Sequence, residues 1–338
     1  MNVTSSVLLD LPGAVPATDL DAGVAWHYGD PLREQRYLAE DAGLVDRSNR
    51  GVLVIPGADR LSWLHAICSQ HVEKLRDGDS TEALVLSPNG HVEQDWQLTE
   101  LGGQVWIDVE PGTAPDVLAY LQKMVFMRRV EPADVSSDWA VLSVVGPRAD
   151  EVLAAAGEPL PAEIGQAAAR PGGGFTRRRR RAVDLIVPRA TLRTVADSLR
   201  AAGAHPAGSW ATAALRIENR EPRLNLETDH RTIPHEIDLI GVAVHLQKGC
   251  YRGQETVARV QNLGRPPRRL VRLHLSGERE ELPVPGTAIE LDGRSVGFLG
   301  TTAHHHELGP IALAVIKRQT PDDAHLVVGE MAAAIDPS

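Results

Sequence analysis

With 338 residues, 43% of them apolar and 24% charged, the chain is long enough for two or three compact domains, which excludes a small stapled module and wholesale disorder. A formal net charge of −10 makes the molecule as a whole unattractive to nucleic acid or an anionic membrane, so a polyanionic partner would need a local basic patch. Two cysteines, Cys68 and Cys250, stand far apart and outside any CxxC or His-rich motif; they exclude a disulfide framework and a structural zinc and fit a reducing, cytoplasmic setting.

Residues 1–22 have no basic n-region and no long apolar run, so they read as a poorly ordered arm and not as a signal peptide or anchor. No stretch of ~18 apolar residues is present to span a membrane. Residues 51–57 predict a short strand closed by turn residues, followed by a helix with Asp59 as its N-cap. Leu61, Leu64, His65 and Cys68 repeat at helical spacing, which makes Cys68 core filler. Residues 83–88, 92–98 and 105–109 predict an antiparallel meander, covered by a helix over 114–125. A second unit of the same kind follows, with strands at 140–145 and 183–187 and helices at 147–156 and 190–202. After Pro266, Pro267, Arg268 and Arg269 the pattern changes to short alternating strands, and Asp292-Gly293 marks a hairpin between 287–291 and 294–299. The expected fold is α+β: the arm, a core over 23–265 built of two intertwined units at 50–135 and 136–240 with antiparallel sheets, and a C-terminal β-barrel over 266–338.

The segment Lys248-Gly-Cys-Tyr-Arg-Gly-Gln-Glu255 packs a thiol, two cations, an amide and a carboxylate between backbone-permissive glycines. If extended, it places Lys248, Cys250 and Arg252 on one face, where two cations favour the thiolate and make Cys250 reactive. The bland alternative is an exposed polar loop with an incidental cysteine.

This segment resembles the K-G-C-[FY]-x-G-Q-E signature of the YgfZ family, folate-binding relatives of the glycine-cleavage T-protein that assist iron–sulfur cluster assembly or repair. Arg216-Ile-Glu218 with Pro222-Arg223, Ile233-Pro-His-Glu236 and residues 309–314 resemble further family runs. So do residues 43–48, and Ser87-Pro-Asn-Gly90 with Asp95, so that the similarity covers about residues 40 to 318. The resemblance implies a GcvT-like ring of three domains around a channel that holds tetrahydrofolate or another reduced folate. Asp95, Tyr251 and Arg252 become candidates for the pterin, the p-aminobenzoate ring and the glutamate tail. Gln254, Glu255, Arg216 and Glu218 are further candidate cofactor contacts, and Cys250, Lys248 and Asp95 the candidates for chemistry. Implied partners are iron–sulfur assembly proteins or client enzymes.

Two departures bear on activity. T-proteins carry an R-T-G-Y-T-G-E-D-G run whose glutamate clamps the pterin, where this chain reads Phe175-Thr-Arg-Arg-Arg-Arg-Arg181. They also carry paired aspartates where this chain has Gln94-Asp95. The main rival reading is a folate-dependent aminomethyltransferase-like one-carbon transferase, with Asp95 as its available base. A second rival is an RNA- or tRNA-associated protein binding through Arg177 to Arg181, although this run lacks interleaved aromatics to stack bases and serves equally as a solvated hairpin or an anion site. Three adjacent histidines, His304 to His306, cannot all face one ion from a strand, so no metal site is expected.

Overall fold

A computed structural model describes residues 5–278 and 281–336. It divides into two compact units, one of Met1–Ala83 with Asp95–Thr212 and one of Leu84–Gln94 with Ala213–Ser338.

Two sheets lie for the most part in the first unit. One has five strands in the order Ser80–Leu86, Val92–Leu101, Gln104–Val109, Gly51–Pro56 and Ala133–Asp134. The other has six, in the order Ala167–Ala169, Phe175–Arg178, Ala182–Pro188, Trp139–Val145, Gly43–Asp46 and His205–Ala207. Pairing is antiparallel except where His205–Ala207 runs parallel to Gly43–Asp46. Strand alternation gives each sheet two faces. On one face of the six-stranded sheet, Ala140, Leu142, Val144, Val183 and Leu185 form a core with Val152, Leu153, Val195 and Leu199 from helices Ala149–Ala155 and Leu192–Ala201. On its other face, Val141, Phe175 and Ile186 meet Val52 and Trp106 of the five-stranded sheet. Trp106 stands edge-on to Phe175 at 5.5 Å and to Trp139 at 4.8 Å.

The poorly ordered arm expected at the N-terminus is corrected over the described residues. A one-turn helix, Val7–Asp10, is capped by Ser6, whose Oγ accepts from the backbone N–H of Leu8. Leu8 and Leu11 are buried in the same core as Leu142 and Leu199, and Val15–Pro16 pairs with Ala25–His27. Two apolar residues in register with a core suffice to order this short segment. Asp59 does occupy the N-cap of helix Arg60–Ile67, yet its carboxylate is taken by Arg129, whose backbone N–H and guanidinium both donate to it. Cys68 is the buried C-cap residue of that helix.

The second unit contains a closed barrel in the order Arg268–Leu275, Gly309–Lys317, Arg294–His305, Ala288–Leu291, Leu326–Val328 and Met331–Ile335. Leu273, Ile289, Leu299, Ala312, Ala314 and Val328 fill its interior. Leu291 pairs with Arg294 across the two-residue turn predicted at Asp292-Gly293, and both turn residues have positive φ, as the right-handed twist of a hairpin favours. The fold is thus α+β with antiparallel sheets and a six-stranded barrel, as the sequence led us to expect.

Candidate functional site

Between the two sheets of the first unit the apolar layer gives way to a polar one. Phe175 and Arg177 share a face of their strand, as do Ile186 and Asp184 on the neighbouring strand. Across the gap, Trp106 and Asp108 alternate in the same way. Arg177 is buried, with Nη1 donating to Asp108 Oδ1 and Nη2 to Asp184 Oδ2, both at 2.7 Å. Ser143 Oγ donates to the other Asp184 oxygen at 2.7 Å. Arg50 continues the network, its Nε donating to Asp108 Oδ2 at 2.9 Å and its Nη1 to Glu110 at 2.7 Å. Against the cost of burial, Arg177 and Arg50 hold the Asp108 carboxyl below its usual range. Arg179, Arg177 and Arg47 do the same for Asp184.

Asp95 lies at the edge of this network. Asp95 lies on the strand whose Gln97 pairs with Asp108, close enough to Glu110 for that carboxylate's charge to act on it. Its Oδ1 is buried and has no hydrogen-bond partner among the described residues. Burial first, then the neighbouring charges of Glu82 and Glu110, push the Asp95 carboxyl well above the ordinary carboxylate range, against Arg50 and Arg179. A carboxyl so placed holds its proton to higher pH than a solvated one, and gives it up more readily when a ligand brings hydrogen-bond donors to the vacant oxygen.

The second unit brings together two segments singled out by sequence. The turn at Ser87–Gly90 packs against the start of helix Gln254–Leu263. Gly253 has φ of +82°, and a Cβ there would sit 2.5 Å from the Ser87 carbonyl oxygen and 2.9 Å from Gly90 Cα. Gly90, at φ +79°, would in turn place a Cβ 2.7 Å from that of Thr256. Neither glycine can carry a side chain without pushing the segments apart. Gly253→Ala is expected to cost about 2 kcal/mol or more by combining left-handed strain with a backbone clash, measurable as a fall in the chemical-denaturation midpoint. Arg252 Nη1 donates to Glu93 at 2.9 Å, a half-exposed link between the same two segments.

The extended conformation expected for residues 248–252 is corrected. The chain turns repeatedly from Leu246 to Gly253. Lys248 is buried with Nζ 5.0 Å from the centroid of the Tyr251 ring, whereas Cys250 is exposed and Arg252 is directed to Glu93. Lys248 and Cys250 therefore do not share a face. Burial pushes the Tyr251 hydroxyl up to about 12, so it stays a neutral donor. Exposure alone separates the two thiols: iodoacetamide is expected to modify Cys250 in the native protein and Cys68 only after global unfolding, as peptide mass mapping would show.

The GCVT N-terminal domain family matches residues 24–166. The aminomethyltransferase of Geobacillus kaustophilus is 30% identical over 295 residues, which cover 82% of this chain and 79% of that protein. The chain belongs to the aminomethyltransferase family. A chloroplastic protein of Arabidopsis thaliana named as a transferase is 27% identical over 307 residues, covering 85% of this chain and 68% of the relative. The crystal structure of the glycine cleavage system aminomethyltransferase T from Bartonella henselae superposes with a TM-score of 0.87 at 20% identity, over 98% of this chain and 95% of that one, and so shares its fold.

Within this member of the aminomethyltransferase family, the remaining candidate residues divide by environment. Arg216 donates to Glu227 at 3.0 Å and to Thr301, and Glu227 accepts from the Thr301 backbone N–H at 2.7 Å, so Arg216 ties helix Ser209–Glu218 to the barrel. Glu218 lies 3.5 Å from His305 Nε2, and the backbone N–H groups of Glu307 and Leu308 donate to His305 Nδ1. Gln254 accepts from the Tyr251 backbone N–H at 2.9 Å, and Glu255 is exposed beside Arg259. The five-arginine run does not form one basic patch. Arg177 is spent inside, Arg178 pairs with Asp150 at 3.0 Å, and Arg179 stands 3.7 Å from Asp184. The sequence reading missed Arg50, Asp108, Glu110 and Asp184. The signal for the two aspartates was present, as single acids inside otherwise apolar strands, at Val-Trp-Ile-Asp108-Val and Ala-Val-Asp184-Leu-Ile-Val.

Proposed function

We propose that this protein binds a reduced folate and that Asp95 receives the N–H donors of its pterin. The observation that carries this reading is the Asp95 Oδ1, buried and without a hydrogen-bond partner among the described residues, at the edge of the polar layer that Arg177, Asp108 and Asp184 form. An acceptor of this kind fits a ligand bearing paired donors, and a ligand supplying them would favour the ionised carboxyl. A bound reduced folate supplies two nitrogens, N5 and N10, that carry a one-carbon unit. Asp95 would orient the pterin and hold or release one proton, while Arg50 holds the nearby Glu110 in place. Purification under anaerobic conditions tests this directly: wild-type protein should retain reduced folate detectable by mass spectrometry, and Asp95→Asn should not. Equal, empty preparations of both would count against it.

The Lys248–Glu255 signature supports placement in the YgfZ branch and, with it, a supporting role in iron–sulfur cluster assembly or repair. Arg177, in the run where T-proteins carry their glutamate clamp, also weakens a glycine-cleavage reading, because its charge is already neutralised by Asp108 and Asp184. Cys250 is exposed and able to meet a partner, but one thiolate supplies one ligand where a stable cluster needs about four, so the role is transient assistance. Loss of the gene should lower several iron–sulfur enzyme activities under oxidative stress. Failure of Cys250→Ser to restore them supports the reading; full rescue by Cys250→Ser means that the thiol is incidental.

A further inference from the structure

The first unit holds a cavity of about 280 Å³ that the polar layer does not use. Helix Pro31–Glu40 contributes Arg33 and Tyr37, the end of helix Leu192–Ala201 contributes Arg200, and strand His205–Ala207 contributes His205. Tyr28 completes the aromatic lining. The Tyr37 and His205 rings stack at 4.0 Å and 13°, and the Arg33 guanidinium stands 5.6 Å from the Tyr37 centroid. His205 Nε2 is fixed 3.3 Å from Asp41.

Polar capacity in this cavity is unequal. Its two carboxylates are already committed to backbone N–H groups. Asp30 caps its helix by accepting from the Arg33 N–H at 3.0 Å. Glu34, which is buried, accepts from the Tyr28 N–H at 2.7 Å and the Gly208 N–H at 2.9 Å, one on each oxygen. The cations are much less committed. Among the described residues Arg33 has no carboxylate partner, and Arg200 has only Asp197, three residues back on the same helix and half-exposed. A half-exposed pair of that kind, between neighbours on one helix, contributes little and can exchange for a stronger anion. What remains available to a ligand is a pair of guanidinium groups beside three rings. Guanidinium groups match carboxylate and phosphate oxygens in plane and charge, and the rings offer stacking area.

We propose that this cavity binds a small organic anion bearing a planar ring, with Arg33 and Arg200 holding the acid group and Tyr28, Tyr37 and His205 receiving the ring. The inference is independent of folate binding, because none of these residues belongs to the Asp95 network. Calorimetric titration of the full chain with phenyl phosphate, inorganic phosphate and phenol separates the contributions. Phenyl phosphate is expected to bind at least about tenfold more tightly than phosphate or phenol alone. Arg33→Gln with Arg200→Gln should weaken phenyl phosphate about tenfold or more, and Tyr37→Leu should remove the advantage of phenyl phosphate over phosphate. Unchanged thermal midpoints of that variant would show that it folds. The His205 ring resonances should shift on titration, locating the ligand. Equal affinity for phosphate and phenyl phosphate, or undiminished phenyl phosphate binding in the double arginine variant, would overturn the proposal.

Discussion

Arg177→Met is expected to cost about 3–5 kcal/mol of folding stability, because it leaves Asp108 and Asp184 buried without the counter-charge they share. The reason lies in the asymmetry of buried ion pairs. Forming one yields little net stability after desolvation, but removing one partner strands the other charge where water cannot reach it. In the wild type both carboxyls titrate below their ordinary values. Their stabilising contribution is therefore complete above the unfolded value of ~3.9 and is lost only as pH falls through the lower folded values. In Arg177→Met both carboxyls should rise, so the deficit is largest at neutral pH and narrows as acid protonates them. Urea unfolding of both proteins across pH measures this. A deficit that stays below about 1 kcal/mol at neutral pH would mean that Arg177 is a surface residue after all.

Asp95→Asn should do the opposite, stabilising the protein at neutral pH by about 1 kcal/mol. A folded carboxyl titrating above its unfolded value takes up protons on folding, so it contributes a penalty that grows as pH rises from ~3.9 through the raised folded value. The amide has no such penalty. Stability of the variant should thus fall less steeply with rising pH over that window than stability of the wild type. A group that lowers stability where it sits is retained for what it does, which links this stability measurement to the ligand reading. If Asp95→Asn is destabilising at neutral pH, the carboxylate is structural and its vacant oxygen carries no functional meaning.

Much of this architecture was legible in the residues. The meander at 80–109, the helix after it and the barrel hairpin at Asp292-Gly293 follow from period-two alternation and from a turn that needs two positive φ angles. Other features were hidden for physical reasons. Five consecutive arginines look like a surface patch by composition, although alternation within Phe175–Arg178 turns Arg177 inward and Arg178 outward. The partner that makes this tolerable, Asp108, is 69 residues away in sequence. The Lys248–Glu255 segment carries two glycines, and one of them, Gly253, takes a left-handed conformation that breaks the extended run assumed for it. Asp95 was singled out by resemblance, but its vacant oxygen depends on neighbours that only the folded sheet assembles.

The most direct test of the folate reading is a calorimetric titration of tetrahydrofolate into the wild type and Asp95→Asn under anaerobic conditions. Stoichiometric binding to the wild type, with affinity at least about tenfold weaker in the folded variant, is the predicted result. Binding should also raise the wild-type thermal midpoint, since any ligand selective for the native state must do so. No heat and no midpoint shift at millimolar ligand would contradict folate binding, and undiminished affinity in Asp95→Asn would remove Asp95 from the site.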